Sequence, residues 1–399
     1  MDEDTGSSRW AGRTVRTDGD GRTVVRLRGP DDVLGIVPWR LGFHPTESLV
    51  VVVLQGSRRR ERLVMRMDLP DPRSGAAAVA VARETAHRAE QAAADEVLVA
   101  VYTTAADDAG ELPFTELVDE LASALDDVGV ELPEALLVRD GRRWSYLCRE
   151  PSCCPPDGLP LPERPTAAAD AYAAEAVLRG AVVLPDRGAL RRSVHPSDRS
   201  VAVAVRGRAR DQLATLVPAG RMAAEGAARL GLLRERFARG EREPPEPVDA
   251  LLVALGLVDP SRRDGLMTAV LDDDTGAVLE LLGHVARLVD DDVAAPVCTV
   301  LGWLAYATGD GALALVAVER ALRADPGYTM AQLLLGGIDG MVPPSALRDV
   351  SRAVRSELAA DGPTGRRSTA SGATGLARTS ARRRRPGGRR SPPDPTGPA

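Results

Sequence analysis

The run Leu49 to Leu54 (LVVVVL) has no polar residue and no alternation, and it follows directly on a turn, LGFHPTES, that carries His44, Pro45, Glu47 and Ser48. A short, continuous run dominated by valine is the pattern of a strand buried on both faces, which commits the chain around it to a layered sheet. Polar side chains at the mouth of such a strand are where α/β proteins often keep their sites. After Gly56 the pattern switches to alternation: Leu63, Met65, Met67 and Leu69 point one way, and Val64, Arg66 and Asp68 the other. This reads as the half-exposed partner of a hairpin, whose register places Ser48 opposite Asp68 to within about two residues.

Upstream, Val24 to Arg28 is a candidate first strand, and Pro30-Asp31-Asp32 starts a helix with Asp31 or Asp32 capping it. Its apolar face is Val33, Leu34, Ile36 and Val37, and Pro38 is expected to kink or end it. Downstream, an Ala-rich helix over 76–94 leads to an apolar strand over 97–102. The strand, helix, strand order makes a right-handed crossover and a sheet that is at least partly parallel. Phe114, Leu117, Val118, Leu121, Leu125 and Val128 give a helix one buried stripe. Asp140-Gly141 turns a second hairpin between 135–138 and 143–148.

The segment 151–165 holds six prolines and reads as a linker. Beyond it, helical spacing recurs over 166–180, 208–216, 221–237, 248–257, 275–289 and 295–307, with Gly, Pro or Asp clusters between. The expected organisation is a disordered stretch over 1–23, an α/β domain with a mixed, partly parallel sheet over 24–150, the linker, a helical domain over 166–360 and a disordered basic tail over 361–399. From Gly362 onward there are nine Arg and one acid, so the tail carries +8 and the remainder of this −6 chain carries −14.

Every basic residue is Arg, for the chain has no Lys. That excludes a P-loop phosphate lysine, a pyridoxal Schiff base and a lysine nucleophile. No cofactor is implied by any motif. The acidic start MDEDTGSSRW is unlike a secretory leader, and no apolar run is long enough to cross a bilayer. A cytoplasmic protein with reduced cysteines is the expectation.

Three motifs, LGFHPTESLVVVV, WSYLCREPSCCPPDG and GDGALALVAVERALRADPGY, occur in an order that resembles an actinobacterial family known as a domain of unknown function, number four-one-nine-two. The resemblance runs from about Leu27 to Pro344. It implies a two-part cytoplasmic protein and assigns no residue a catalytic role. Separately, Leu301, Gly302, Gly309, Ala314, Ala321 and Pro326 fall at the spacings of a tetratricopeptide repeat, with Cys298, Ala305 and Val318 at its large-residue positions. One such unit reads as a TPR-like hairpin within the helical domain.

Four groups are candidates for chemistry. His44, Glu47, Ser48 and Asp68 could supply nucleophile, base and orienting acid for a hydrolase. They are mostly chain neighbours and no G-x-S-x-G elbow is present, which favours a structural turn. Cys148, Cys153 and Cys154 could bind a thiophilic metal or act as a redox switch, but C-x4-C-C lacks a paired C-x-x-C, adjacent cysteines seldom both ligate one ion and a fourth ligand is missing unless a His folds in, which favours a buried cluster behind Trp144 and Tyr146. Gly309-Asp310-Gly311-Ala312-Leu313-Ala314 matches a dinucleotide fingerprint yet follows helical sequence, so it reads as a helix corner. The Asp272–Asp274 and Asp290–Asp292 triplets read as solvated or capping residues, and Arg382 to Arg385 offer nucleic acid only non-specific contact. The leading expectation is a non-catalytic interaction or regulatory module that meets a protein partner through its helical domain.

Overall fold

A computed structural model describes residues 15–17, 23–25, 27–56, 59–107, 110–178, 181–198, 200–218 and 221–361. The Arg-rich tail and most of the first 22 residues lie outside them. Two short strands, β1 (Val15–Thr17) and β2 (Thr23–Val25), pair antiparallel. The first falls inside the stretch expected to lack order, where Val15 and Thr17 supply strand-favouring branched side chains.

Helix α1 (Pro30–Leu41) starts with proline at its first position and closes on Gly42 in the left-handed conformation. Gly29, not an aspartate, is its N-cap. Asp32 lies in the first turn, where its Oδ2 accepts the Arg28 N–H at 2.6 Å. Pro38 does not end the helix, which continues to Leu41.

The central sheet has the order β4-β3-β5-β6-β7-β8. Its members are β3 (Ser48–Gln55), β4 (Arg60–Asp68), β5 (Glu96–Tyr102), β6 (Glu131–Arg139), β7 (Arg142–Ser145) and β8 (Leu159–Pro160). Only β5 and β6 run parallel as neighbours. The strands flanking the first crossover are not adjacent, because β3 lies between them and pairs antiparallel with both. The apolar run is the innermost element, with Leu49, Val50, Val51 and Val53 at 0% exposure. Ser48 stands opposite Asp68, as the alternation in β4 predicts. Asp140 and Gly141 take the positive φ of a tight hairpin turn. The proline-rich segment contributes the edge strand β8, so part of the expected linker belongs to the sheet.

The two faces of the sheet are covered differently. On one, α2 (Gly75–Gln91) and α3 (Thr115–Asp127) pack Ala82, Ala86, Val118, Leu121 and Leu125 on Leu49, Val51, Val99 and Leu137. On the other, α1 crosses Val50, Val52, Leu98, Ala100 and Leu136, and that core continues without a break into the helical region.

The helical region comprises α4 (Ala167–Leu178), α5 (Arg187–Arg192), α6 (Ser200–Leu216), α7 (Met222–Ala238), α8 (Pro247–Gly256), α9 (Pro260–Met267), α10 (Thr275–Leu288), α11 (Ala294–Thr308), α12 (Gly311–Ala324), α13 (Thr329–Asp339) and α14 (Pro344–Asp361). The corner between α11 and α12 is the G-x-G-x-x-A segment: Gly309 is the left-handed cap and Asp310 accepts the Leu313 N–H at 2.9 Å. Arg320, fully buried, bonds the carbonyls of Val194, Ala286 and Val289 and the carboxylate of Asp291, so one guanidinium holds the carboxyl end of α10 to the α5 end.

The aspartate triplets are not merely solvated. Arg234 grips Asp274 through two parallel bonds of 2.6 and 2.7 Å and reaches Asp272 at 2.7 Å. Arg206 takes Asp290 at 2.5 Å, and Arg210 bridges Asp290 and Asp292. The planar fork of arginine suits such paired carboxylate contacts, and these clasps join helices far apart in the chain.

Candidate functional site

The Leu41–Ser48 turn is tied into the helical region by its backbone. His44 N–H donates to the Leu184 carbonyl at 3.0 Å, and Leu184 N–H donates to that of Gly42 at 2.8 Å. The His44 side chain is exposed and makes no hydrogen bond among the described residues, while Pro45 beside it is buried. Ser48 is fully buried. Its hydroxyl donates to the Thr46 carbonyl at 2.7 Å and accepts from Arg66 Nε at 2.7 Å, and Arg66 also pairs with Asp68. Ser48 and Asp68 are therefore brought together through an arginine, and His44 is hydrogen-bonded to neither.

Glu47, at a positive φ of 42°, turns towards the loop after β5. It accepts from the Thr103 hydroxyl at 2.8 Å and from the Thr104 N–H and hydroxyl at 2.7 and 2.9 Å. Partial burial pushes its pKa up, but the Thr104 N–H and the two hydroxyls outweigh this and hold it below the ordinary glutamate value. Nothing in the local sequence pairs Glu47 with threonines some 56 residues away.

A cleft of about 400 Å³ opens between α1 and the sheet, lined by Val33, Val37, Val52, Leu98, Ala100 and Leu136, with Pro30, Arg59, Pro133 and Glu134 also on its wall. A six-stranded sheet is wide, and a single helix leaves part of that face unfilled. Two carboxylates interrupt the apolar series on this face: Glu96 precedes Leu98 and Ala100 on β5, and Glu134 precedes Leu136 and Val138 on β6. Burial raises the Glu134 pKa against the opposing effects of the Ser145 hydroxyl, the Ala135 N–H and the charge of Arg143. Glu96 bonds Arg59 at 2.7 Å through Oε1, and its buried Oε2 has no hydrogen-bond partner among the described residues. The period-two spacing of these acids among apolar residues was the signal that could have exposed them in the sequence.

Next to Glu134 the chain leaves β7 and folds the cysteine loop. Glu134 accepts from the Ser145 hydroxyl at 2.8 Å, and that hydroxyl accepts from the N–H groups of Leu147 and Cys148. Cys148 and Cys153 sulfurs are 3.2 Å apart, Cys153 and Cys154 sulfurs 3.8 Å, and all three lie within 4.8 Å of one another. The expected burial behind Trp144 and Tyr146 does not occur: Cys153 is exposed and the other two are half-buried. The tryptophan is instead occupied by Gly158, at φ +70°, where any β-carbon would strike the indole. The Glu150 N–H lowers the Cys148 thiol pKa, helped by the two neighbouring thiols, whereas partial burial and those same neighbours push Cys154 up to about 12. Among the described residues, this trio is the only group of cysteine, histidine and acidic side chains arranged to hold a metal ion.

The fold and its site define a layered α/β sheet fused to a helical body, with an open cleft on one sheet face and a thiol cluster at its edge. The chain belongs to the family described as Domain of unknown function (DUF4192), whose model matches residues 30–345. No curated protein and no solved structure matches it. No helix among the described residues is long and apolar enough to cross a membrane.

Proposed function

We propose that the chain is a non-catalytic regulatory module whose α/β half takes a small, mainly apolar ligand bearing a hydrogen-bond donor. The observation that carries this reading is the cleft beneath α1, whose mainly apolar walls, with Glu134 and Arg59 as the charged groups, match the usual composition of small-molecule sites. The half-buried carboxyl of Glu134 on the cleft wall suits a donor group on the ligand. The hydrolase alternative needs Ser48 bonded to a base, and its hydroxyl proton is directed to the Thr46 carbonyl instead.

Transmission to a protein partner is assigned to the helical half, because the core that includes Val52 and Ala100 continues through α10 and α11. The TPR-like α11–α12 hairpin belongs to that body. Among the described residues, exposed apolar side chains there include Val177, Leu178 and Val182, at and just after the end of α4.

The test is a thermal-shift screen of apolar amines and alcohols with the full chain, repeated on Ala100→Phe. Hits that raise the melting temperature of wild type and lose that effect in the variant support the reading. A wild type that takes no ligand, together with a variant that melts higher, identifies the cleft as a packing gap and overturns it.

A further inference from the structure

We propose that Cys148, Cys153 and Cys154 form a three-thiolate site for zinc(II), with the fourth coordination position left to water or an incoming ligand. The geometry is close to what the ion requires. A Zn–S bond of about 2.3 Å in a tetrahedron sets sulfurs about 3.8 Å apart. The sulfur separations of 3.2 and 3.8 Å, with the third side under 4.8 Å, outline one face of that tetrahedron. Closing it needs shifts of a few tenths of an ångström to about one, within the reach of cysteine side-chain rotation.

The loop that presents the sulfurs is held from several sides. Cys153 and Cys154 N–H groups donate to the Glu150 carbonyl at 3.2 and 2.8 Å, and Cys148 N–H donates to Ser145 Oγ at 3.0 Å. Arg142 bonds the carbonyls of Asp157 and Gly158 at 2.7 and 2.8 Å, and Trp144 Nε1 bonds that of Pro156 at 2.8 Å. Such strapping limits the entropy lost on binding an ion. Packing gives no reason for the trio to converge, since Cys153 is exposed and free cysteine normally sits in apolar interiors, as Cys298 does.

A disulfide between Cys148 and Cys153 would leave Cys154 without a role and would need an external oxidant. Zinc uses all three: each thiol loses its proton to solvent as its sulfur takes the metal, giving a complex of net charge −1. The site stands independently of the cleft, so either can fail alone.

The experiment uses the reduced full-length chain, stripped with chelator and titrated with zinc chloride. Metal analysis should give one zinc per chain. Maleimide labelling read by mass spectrometry should find Cys148, Cys153 and Cys154 reactive without zinc and protected together with it, Cys298 being inert in both states. Each single Cys→Ser variant should lose at least tenfold in zinc affinity, and cobalt(II) should give a thiolate charge-transfer band that shifts when imidazole is added. Cys153→Ser changes an exposed position, so its melting curve without zinc should match wild type. Less than stoichiometric zinc with all three thiols still reactive overturns the proposal. So does peroxide closing a Cys148–Cys153 disulfide in a chain that retains no zinc, or zinc bound equally by a variant lacking all three cysteines.

Discussion

The two faces of the central sheet are made by the same strands and differ in what lies over them. Under α2 and α3, small alanines let two helices settle on Leu49, Val51 and Leu137, whose side chains are wholly buried. Under α1, the single helix leaves a cleft with Glu134 on its wall. The same contrast holds for polar groups. At the Ser48 end of β3 the hydroxyl and carboxylate are fully engaged, by Thr46, Arg66, Thr103 and Thr104. At the far rim, one Glu96 oxygen has no hydrogen-bond partner among the described residues, and three thiols face solvent or lie close to it. Saturated polar groups rigidify a fold, whereas unsatisfied ones are costly unless something uses them, so the open side is the place to look for function.

The sharpest break of this comparison is a cavity on the filled face. Leu121→Ala should cost about 2–5 kcal/mol, read from denaturant unfolding, because Leu121 is wholly buried between α3 and the sheet. A loss under about 1 kcal/mol would mean that face is not packed as described. Next is a pair of opposed substitutions. Ala135→Phe on the filled face should destabilise by about 1–3 kcal/mol or more through overpacking, while Ala100→Phe should be neutral or stabilising because the cleft receives the ring. Equal losses would erase the distinction between the faces.

At the closed end, Glu47→Gln should cost about 1 kcal/mol or less, since the carboxylate is largely exposed and screened. Its depressed pKa sets the sign: the wild-type advantage is complete above the ordinary glutamate range and disappears as pH falls through the lower folded value. Melting temperatures of both proteins across that acid range check it, and an advantage that grows on acidification would contradict the assignment. Smallest is the effect of Ser48→Ala on hydrolysis of generic esters, where equal rates are expected. A clear fall in rate, with folding intact, would move the site to the closed end.

Much of the frame was legible because it depends on local pattern. The unbroken valine run and the period-two alternation of β4 together place Ser48 opposite Asp68, and the Asp-Gly turn marks the separate β6–β7 hairpin. The sequence pattern marks no separate helix at α5, α9, α13 or α14, and it shows α6 only from 208, eight residues inside the helix, where apolar spacing is weak. The partners of Glu47 and the arginine clasps on the aspartate triplets escaped for a different reason. They join residues between 38 and 84 positions apart, and no period in the sequence records such a pairing.

The sequence by itself determined the buried strand, its hairpin, the succession of helices and, through the absence of lysine, that every side-chain cation other than histidine would be a guanidinium. Those properties depend on near neighbours, and near neighbours are what a sequence states. Only the tertiary structure decided that a cleft opens under α1, that the Ser48 hydroxyl is buried between Thr46 and Arg66, and that three cysteines meet at the surface. Each of these depends on where distant segments come to rest against one another, a choice made by the packing of the whole chain.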